Sequence, residues 1–221
     1  NPRLPQIECE TLAELALRYL RTVDYSVYRE VSAGRRLHCY LLGKGMLPEL
    51  LEALRYWRRG DPTEATAIKG GHDQSRWYIC YPFFRDPVRA IPDDIYDITD
   101  EMTLNARLDA VTWRAGRLRI EGHAYIRRLN FGNPGDCRLR VKLRNRKTRR
   151  TVRLRVRPVH RPDVTASSGQ STVSYDWSGF AVEVSPRRLA TAPGLWRMTN
   201  WELRIEVAGQ GLRKEGPVGS V

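Results

Sequence analysis

This chain is poor in the residues that redox, metal and membrane chemistry draw on. Its four cysteines, Cys9, Cys39, Cys80 and Cys137, are widely spaced and form no Cys-x-x-Cys pair. Its four histidines, His38, His72, His123 and His160, complete no zinc spacing. The expectation is no metal site, with free thiols in a reducing compartment. No stretch approaches the roughly 18 apolar residues of a membrane span, and no charged-then-apolar leader opens the chain. The motifs Gly-x-Gly-x-x-Gly, Gly-x-x-x-x-Gly-Lys-Ser/Thr and Gly-x-Ser-x-Gly are also missing, and Gly43-Lys-Gly45 is too short to stand for one. The first residue is Asn1 rather than Met, which leads us to expect a piece of a longer protein.

Acidic residues are scarce in one place above all: none lies between Cys137 and Arg161. Residues 1–100 hold 14 Lys+Arg against 15 Asp+Glu, and residues 101–221 hold 24 against 10, so the whole net charge of +13 sits in the second half. That asymmetry points to a polyanionic partner without choosing among nucleic acid, anionic membrane and phosphate polymer.

Within that half, Cys137–Arg144 and Thr151–Arg157 alternate apolar and cationic residues at period two around a short polar connection. The pattern predicts a β-hairpin with Leu139, Val141, Leu143, Val152, Leu154 and Val156 turned inward. Arg138, Arg140, Lys142, Arg144, Arg153, Arg155 and Arg157 then line the opposite face. Like charges directly opposite one another destabilise a strand pair, so a face this uniform calls for an anionic cover.

The remaining chain supplies a frame for that hairpin. Residues 1–90 read as a helical region. Thr11 caps a helix with a stripe of Leu12, Leu15, Ala16, Tyr19, Leu20 and Val23. A second helix runs from Leu47 to Arg59, with Leu47, Leu50, Leu51 and Leu54 inward and Gly60 ending it. Tyr25–Leu42, interrupted by Gly34, predicts shorter helical pieces, and Trp77–Phe84 predicts an aromatic core plug between the two parts of the chain. Residues 91–101 form an acidic, proline-containing boundary that lacks the glycine and regular ligand spacing of a calcium loop.

From residue 102 the period changes to two. Strands are predicted from Leu104 to Trp113, over Leu118–Ile126, in the basic hairpin, around Phe180–Val184 and over Trp201–Val207. Six or seven antiparallel strands in residues 102–221 predict an immunoglobulin-like β-sandwich, so the fold class is α+β. It lacks the Cys…Trp…Cys pattern of antibody domains.

Asp176 has no identifiable carboxylate partner at a glycosidase separation, and His123 reads as part of a basic face rather than an acid or base. Catalytic residues are therefore expected to be none. Tyr125 on an outward strand face, and Tyr175 with Trp177 at a loop-to-strand junction, are candidates for stacking on sugars or bases. Trp113 and Trp201 are expected in the core.

The stretch Ile91–Arg114 (IPDDIYDITDEMTLNARLDAVTWR), with Gly122–Ile126 (GHAYI) and Tyr175–Phe180 (YDWSGF), resembles the C-terminal region of family 2 glycosyltransferases that act on Gram-positive cell-wall glycopolymers. The likeness covers most of the chain, which is similar to the family's post-catalytic linker and appended sandwich. It implies a parent transferase of the wall teichoic acid kind that uses a nucleotide-sugar and a divalent metal. The Asp-x-Asp catalytic domain is missing here, so no catalytic residue carries over and no cofactor is expected in this segment. In related poly(ribitol phosphate) glycosyltransferases such domains are non-catalytic and associated with oligomerisation and polymer binding.

Charge and resemblance together predict binding of an anionic phosphate-containing glycopolymer through the basic face, beside the missing catalytic domain. The polymer-binding candidates are Arg138, Arg140, Lys142, Arg144, Arg153, Arg155, Arg157, Tyr125, Tyr175 and Trp177. The alternatives are a homo-oligomer assembly module and, third, a nucleic-acid-binding domain. The expected location is the cytoplasm, including the inner face of the membrane.

Overall fold

A computed structural model describes residues 30–59, 66–70, 76–189 and 200–219. The predicted helix from Thr11 lies outside the described residues. The chain divides into two compact units, residues 1–101 and 102–221.

In the first unit, α1 (Ala33–Gly43) and α2 (Leu47–Arg59) stand beside a two-stranded antiparallel ladder of β1 (Ala67–Lys69) and β2 (Trp77–Ile79). Gly34 does not break α1. A Cβ there would lie 2.8 Å from the Trp57 ring, so glycine is what lets α1 and α2 approach. This close approach also turns α2 away from its expected face. Ala53 is buried, whereas Leu47, Leu51 and Leu54 are 36%, 52% and 41% exposed. A leucine stripe marked amphipathicity correctly but not the side that packs.

The aromatic run does enter a core, with Trp77, Tyr78, Ile79 and Tyr81 buried. The acidic boundary buries its isoleucines and leaves Asp94 and Asp100 exposed. A 3-10 helix (Asp93–Tyr96) buries Ile95 and Tyr96, and Ile98 N–H donates to the Trp77 carbonyl at 2.8 Å. Arg36 clips α1 to this segment: it is 8% exposed and donates to the carbonyls of Ile95 (3.2 Å), Val31 (3.1 Å) and Asp97 and to Glu101 (3.1 Å). Asp97 shows how polar this join is. Burial alone would raise its carboxyl pKa, but the Thr99 hydroxyl and amide and Arg76 hold it below the usual range.

The second unit is a sandwich of two four-stranded antiparallel sheets. One runs β3 (Leu104–Arg114), β4 (Arg117–Ile126), β8 (Gly179–Val184), β7 (Val156–Val159). The other runs β10 (Leu212–Pro217), β9 (Trp201–Gly209), β5 (Arg138–Asn145), β6 (Thr151–Leu154). Inward side chains such as Ile120, Val141, Phe180, Val182, Ile205 and Val207 are buried between them. Gly122 is required: a Cβ there would lie 2.3 Å from the Arg107 carbonyl and 2.8 Å from Phe180. A register shift at Asp109 between Leu108 and Ala110 leaves Val111 and Trp113 on the inward parity near the end of β3. They are 50% and 66% exposed, so Trp113 is not a core residue.

The predicted second strand of the basic hairpin is split in two. Its β6 part pairs with β5 from Val141↔Leu154 to Arg144↔Thr151; at Arg155 the chain changes sheet and β7 pairs with β8. Pro158 is tolerated because β7 is an edge strand. The connection after β7 contains a short helix, α3 (Pro162–Ser167).

Candidate polyanion-binding face

On β5 the alternation holds: Val141 and Leu143 are buried, and Arg138, Arg140, Lys142 and Arg144 point outward. Its neighbour on one side is β9, in the register Arg140↔Glu206, Lys142↔Arg204 and Arg144↔Glu202. The outer face is therefore not uniformly cationic. Glu206 accepts from Arg140 at 3.0 Å and lies 3.7 Å from Arg213; Glu215 accepts from Lys142 at 2.8 Å and from Arg204 at 3.0 Å; Glu202 accepts from Arg204 at 3.1 Å. A hydrogen bond from Arg204 holds the Glu202 carboxyl below the usual range. Hydrogen bonds from Lys142 and then Arg204 do the same for Glu215 against a cost of burial.

The anionic cover demanded by the hairpin thus comes in part from within the sheet. It does not extend to every cation. Among the described residues Arg138, Arg144, Arg153, Arg155 and Arg157 make no ion pair. Arg138, Arg144 and Arg153 share the outer face with the ion-paired set. Arg157 is opposite Ala181 on the outer face of the other sheet, and Arg155 lies at the crossing. The seven expected cations therefore do not form one surface.

Where β6 leaves β5, an open groove of about 700 Å³ is lined by Arg138, Arg140, Lys142 and Arg153, with Leu139, Val141, Leu154 and Val156 as its apolar part and Glu206 its one carboxylate. That size lies within the roughly 300–1,000 Å³ of ordinary ligand sites. The sequence signalled these cations, and the outward Glu202, Arg204 and Glu206 of β9, but not that the strands lie side by side, because they are some 60 residues apart.

The candidate aromatics are placed differently. Tyr175 is fully buried and Tyr125 is 7% exposed; their rings stack at 3.9 Å, and neither offers a face to a ligand. The Tyr125 hydroxyl accepts from Asn105 at 2.9 Å, and that of Tyr175 accepts from the Arg128 amide at 2.8 Å and donates to Gln170. Burial pushes the Tyr175 phenol up to about 12. Trp177 is half-buried, its ring 5.0 Å from His160.

His123 is not part of a basic face, since its Nδ1 lies 3.2 Å from the Asp109 carboxylate, which Arg161 also binds. Burial raises the Asp109 pKa, but the Arg161 and His123 hydrogen bonds outweigh it and leave it low. Asp176 accepts from the Thr165 hydroxyl. These groups are committed to one another rather than poised for proton transfer. Among the described residues no cluster of three or more His, Cys, Asp or Glu could hold a metal ion. No described helix is long and apolar enough to cross a membrane.

Fold and surface define an α+β chain whose immunoglobulin-like sandwich carries a partly neutralised cationic face beside a groove. No protein-family profile matches the chain, and no curated protein does. Among solved structures it is similar to residues 217–571 of Staphylococcus aureus TarS, at TM-score 0.44 and 11% identity over 99% of this chain and 52% of that one. It is also similar to a longer TarS structure, at TM-score 0.40 and 11% identity over 99% of this chain and 33% of that one. The chain therefore spans about half and a third of those two chains.

Proposed function

We propose that this chain is a non-catalytic region of a glycosyltransferase acting on an anionic cell-wall glycopolymer, and that its sandwich retains the polymer by charge. The observation that carries this reading is the set Arg138, Arg144 and Arg153, cations without an ion pair on an outer face where eight cationic side chains, Arg146 beside Glu202 included, meet three carboxylates. A flexible phosphodiester chain fits such a face, because each neutralised phosphate releases condensed counterions. Nucleotide-sugar and divalent-metal chemistry would belong to the catalytic part of the enzyme, and the expected place of work is the cytoplasmic side of the membrane.

The test is binding of the 221-residue chain to poly(glycerol phosphate) or poly(ribitol phosphate) across a salt series, with a neutral glycan and single-stranded DNA as controls. The expected outcome is retention of the phosphate polymer, none of the neutral glycan, and a log–log slope of about −0.7 per phosphate contacted, taking the single-strand value. Equal binding of DNA would favour a nucleic-acid role, and no binding of any polyanion would refute the reading.

The exposure of Val111 and Trp113 on edge strand β3 favours a second reading, an assembly module. Light scattering decides it, since a dimer or trimer that Trp113→Ser dissolves is the expected signature.

A further inference from the structure

The first unit carries a surface that its own packing does not use. Helix α2 is held from one side: Ala53 is buried, the Trp57 ring stands 4.7 Å from that of Tyr81 and 4.6 Å from that of His38, and Glu49 lies 3.4 Å from the Arg89 guanidinium. Turned away from these contacts, Leu47, Leu51 and Leu54 are exposed. At 100° per residue they fall within about 60° of one another, so they form one stripe rather than scattered apolar residues. A contiguous apolar stripe in water marks a docking surface.

The charge around the stripe has one sign. Arg58, seven residues after Leu51, continues it, and Arg55 and Arg59 flank it; all three are exposed and make no ion pair among the described residues. Glu52, the one exposed carboxylate of α2, lies about 130° from the centre of the stripe. A second copy of this face would therefore set cations against cations. A hydrophilic polyanion would satisfy the arginines and leave the leucines in water. A folded protein partner would have to bury a carboxylate opposite Arg58. At a bilayer surface, by contrast, the Arg58 stem lies along the acyl boundary while its guanidinium reaches any anionic headgroup. The helix is about 20 Å long, too short to cross a hydrocarbon core of about 30 Å and suited to lying in the interface.

We propose that α2 docks the first unit on an anionic lipid surface, with Leu47, Leu51 and Leu54 in the headgroup–acyl boundary and Arg55, Arg58 and Arg59 on the headgroups. This docking uses a different unit from polymer retention, and either holds without the other.

The test is flotation of the full chain with vesicles of mixed phosphatidylglycerol and phosphatidylcholine, and with phosphatidylcholine alone. The cations of the sandwich also attract an anionic vesicle, so the variants decide. L51S/L54S keeps every charge and should lower partitioning about tenfold or more. R55Q/R58Q/R59Q should lower it about fivefold per arginine on the anionic vesicles and little on the neutral ones. R138Q/R144Q/R153Q, which removes the same charge from the sandwich, should cost less. Without vesicles the melting temperature of L51S/L54S should match that of the native chain, because both leucines are exposed. Undiminished partitioning of L51S/L54S, or a larger loss from the sandwich triple than from the α2 triple, would overturn the proposal. A dimer in vesicle-free solution that L51S/L54S dissolves would overturn it in favour of a second copy. A fall in the L51S/L54S melting temperature without loss of partitioning would overturn it in favour of a cover from elsewhere in the chain.

Discussion

Replacing Glu206 by Gln removes the carboxylate that bridges two outer-face arginines while keeping its size. Its Oε1 lies 3.0 Å from Arg140 and 3.7 Å from Arg213, whose side chains are 49% and 65% exposed. Pairs this exposed are worth about 0–1 kcal/mol each. An incoming phosphate must displace them, so freeing both guanidinium groups contributes up to about 2 kcal/mol, a gain of up to about thirtyfold in polymer affinity at low salt. Two further phosphate contacts steepen the log–log salt slope by about 1.4, so between 0.05 and 0.2 M salt about a factor of seven of that gain is lost. The fold should lose no more than about 2 kcal/mol in urea unfolding. The assay is polymer binding of native chain and E206Q at four salt concentrations. Unchanged or weaker binding at an unchanged slope would mean that the polymer touches neither arginine, and the outer face would not be the binding face.

Three further outcomes test the fold of the two units. Arg36→Met leaves the Ile95, Asp97 and Val31 carbonyls without their guanidinium donor, and a cost of about 3–5 kcal/mol is expected, read as early exchange of amides 93–101. A loss below about 1 kcal/mol would show that the clip is dispensable. Tyr175→Phe removes the acceptor of the Arg128 amide and the donor to Gln170, with an expected cost of about 1–3 kcal/mol in thermal unfolding and polymer affinity unchanged. A drop in affinity with an unchanged melting temperature would return Tyr175 to the ligand site. Burial pushes the Cys137 thiol up to about 12, so at pH 8 its thiolate fraction is about a thousandfold below that of free cysteine. Peptide mapping after alkylation should find it unmodified until denaturant is added, and ready labelling in the native chain would contradict the burial.

Local periodicity revealed what depends on one strand. The inward Val141 and Leu143 and the outward arginines of β5 follow from period two alone, as does the alternation of β9. That β5 and β9 lie side by side could not be read the same way, because register is set by the whole sheet. The carboxylates Glu202 and Glu206 were visible in the sequence, but their partners were not. Tyr175 misled for a related reason. It stands at a loop-to-strand junction, where an exposed ring is expected, yet Gln170 and the Arg128 amide satisfy its hydroxyl inside the protein. On α2 the leucines announced an apolar stripe, while the packing was decided by Gly34 admitting Trp57.

The split of the basic strand connects charge to architecture. With Val141 opposite Leu154, one more residue of ladder would set Arg155 opposite Arg140, and continuing to Arg157 would set it opposite Arg138. Each like-charge pair directly across a strand is destabilising by a few tenths of a kcal/mol or more. Lys142 already faces Arg153, with Glu215 on its other side to compensate. The change of sheet at Arg155 avoids both further oppositions and carries Arg157 to a different surface. It also leaves Leu139, paired with Val207 on its other side, without a strand partner on the β6 side, and opens the groove. The cationic run that looked like a continuous binding face thus acts through its interruption. Its repulsion disfavours closing the ladder, and the place where the ladder stops is where cations, an open backbone pair and an apolar floor come together.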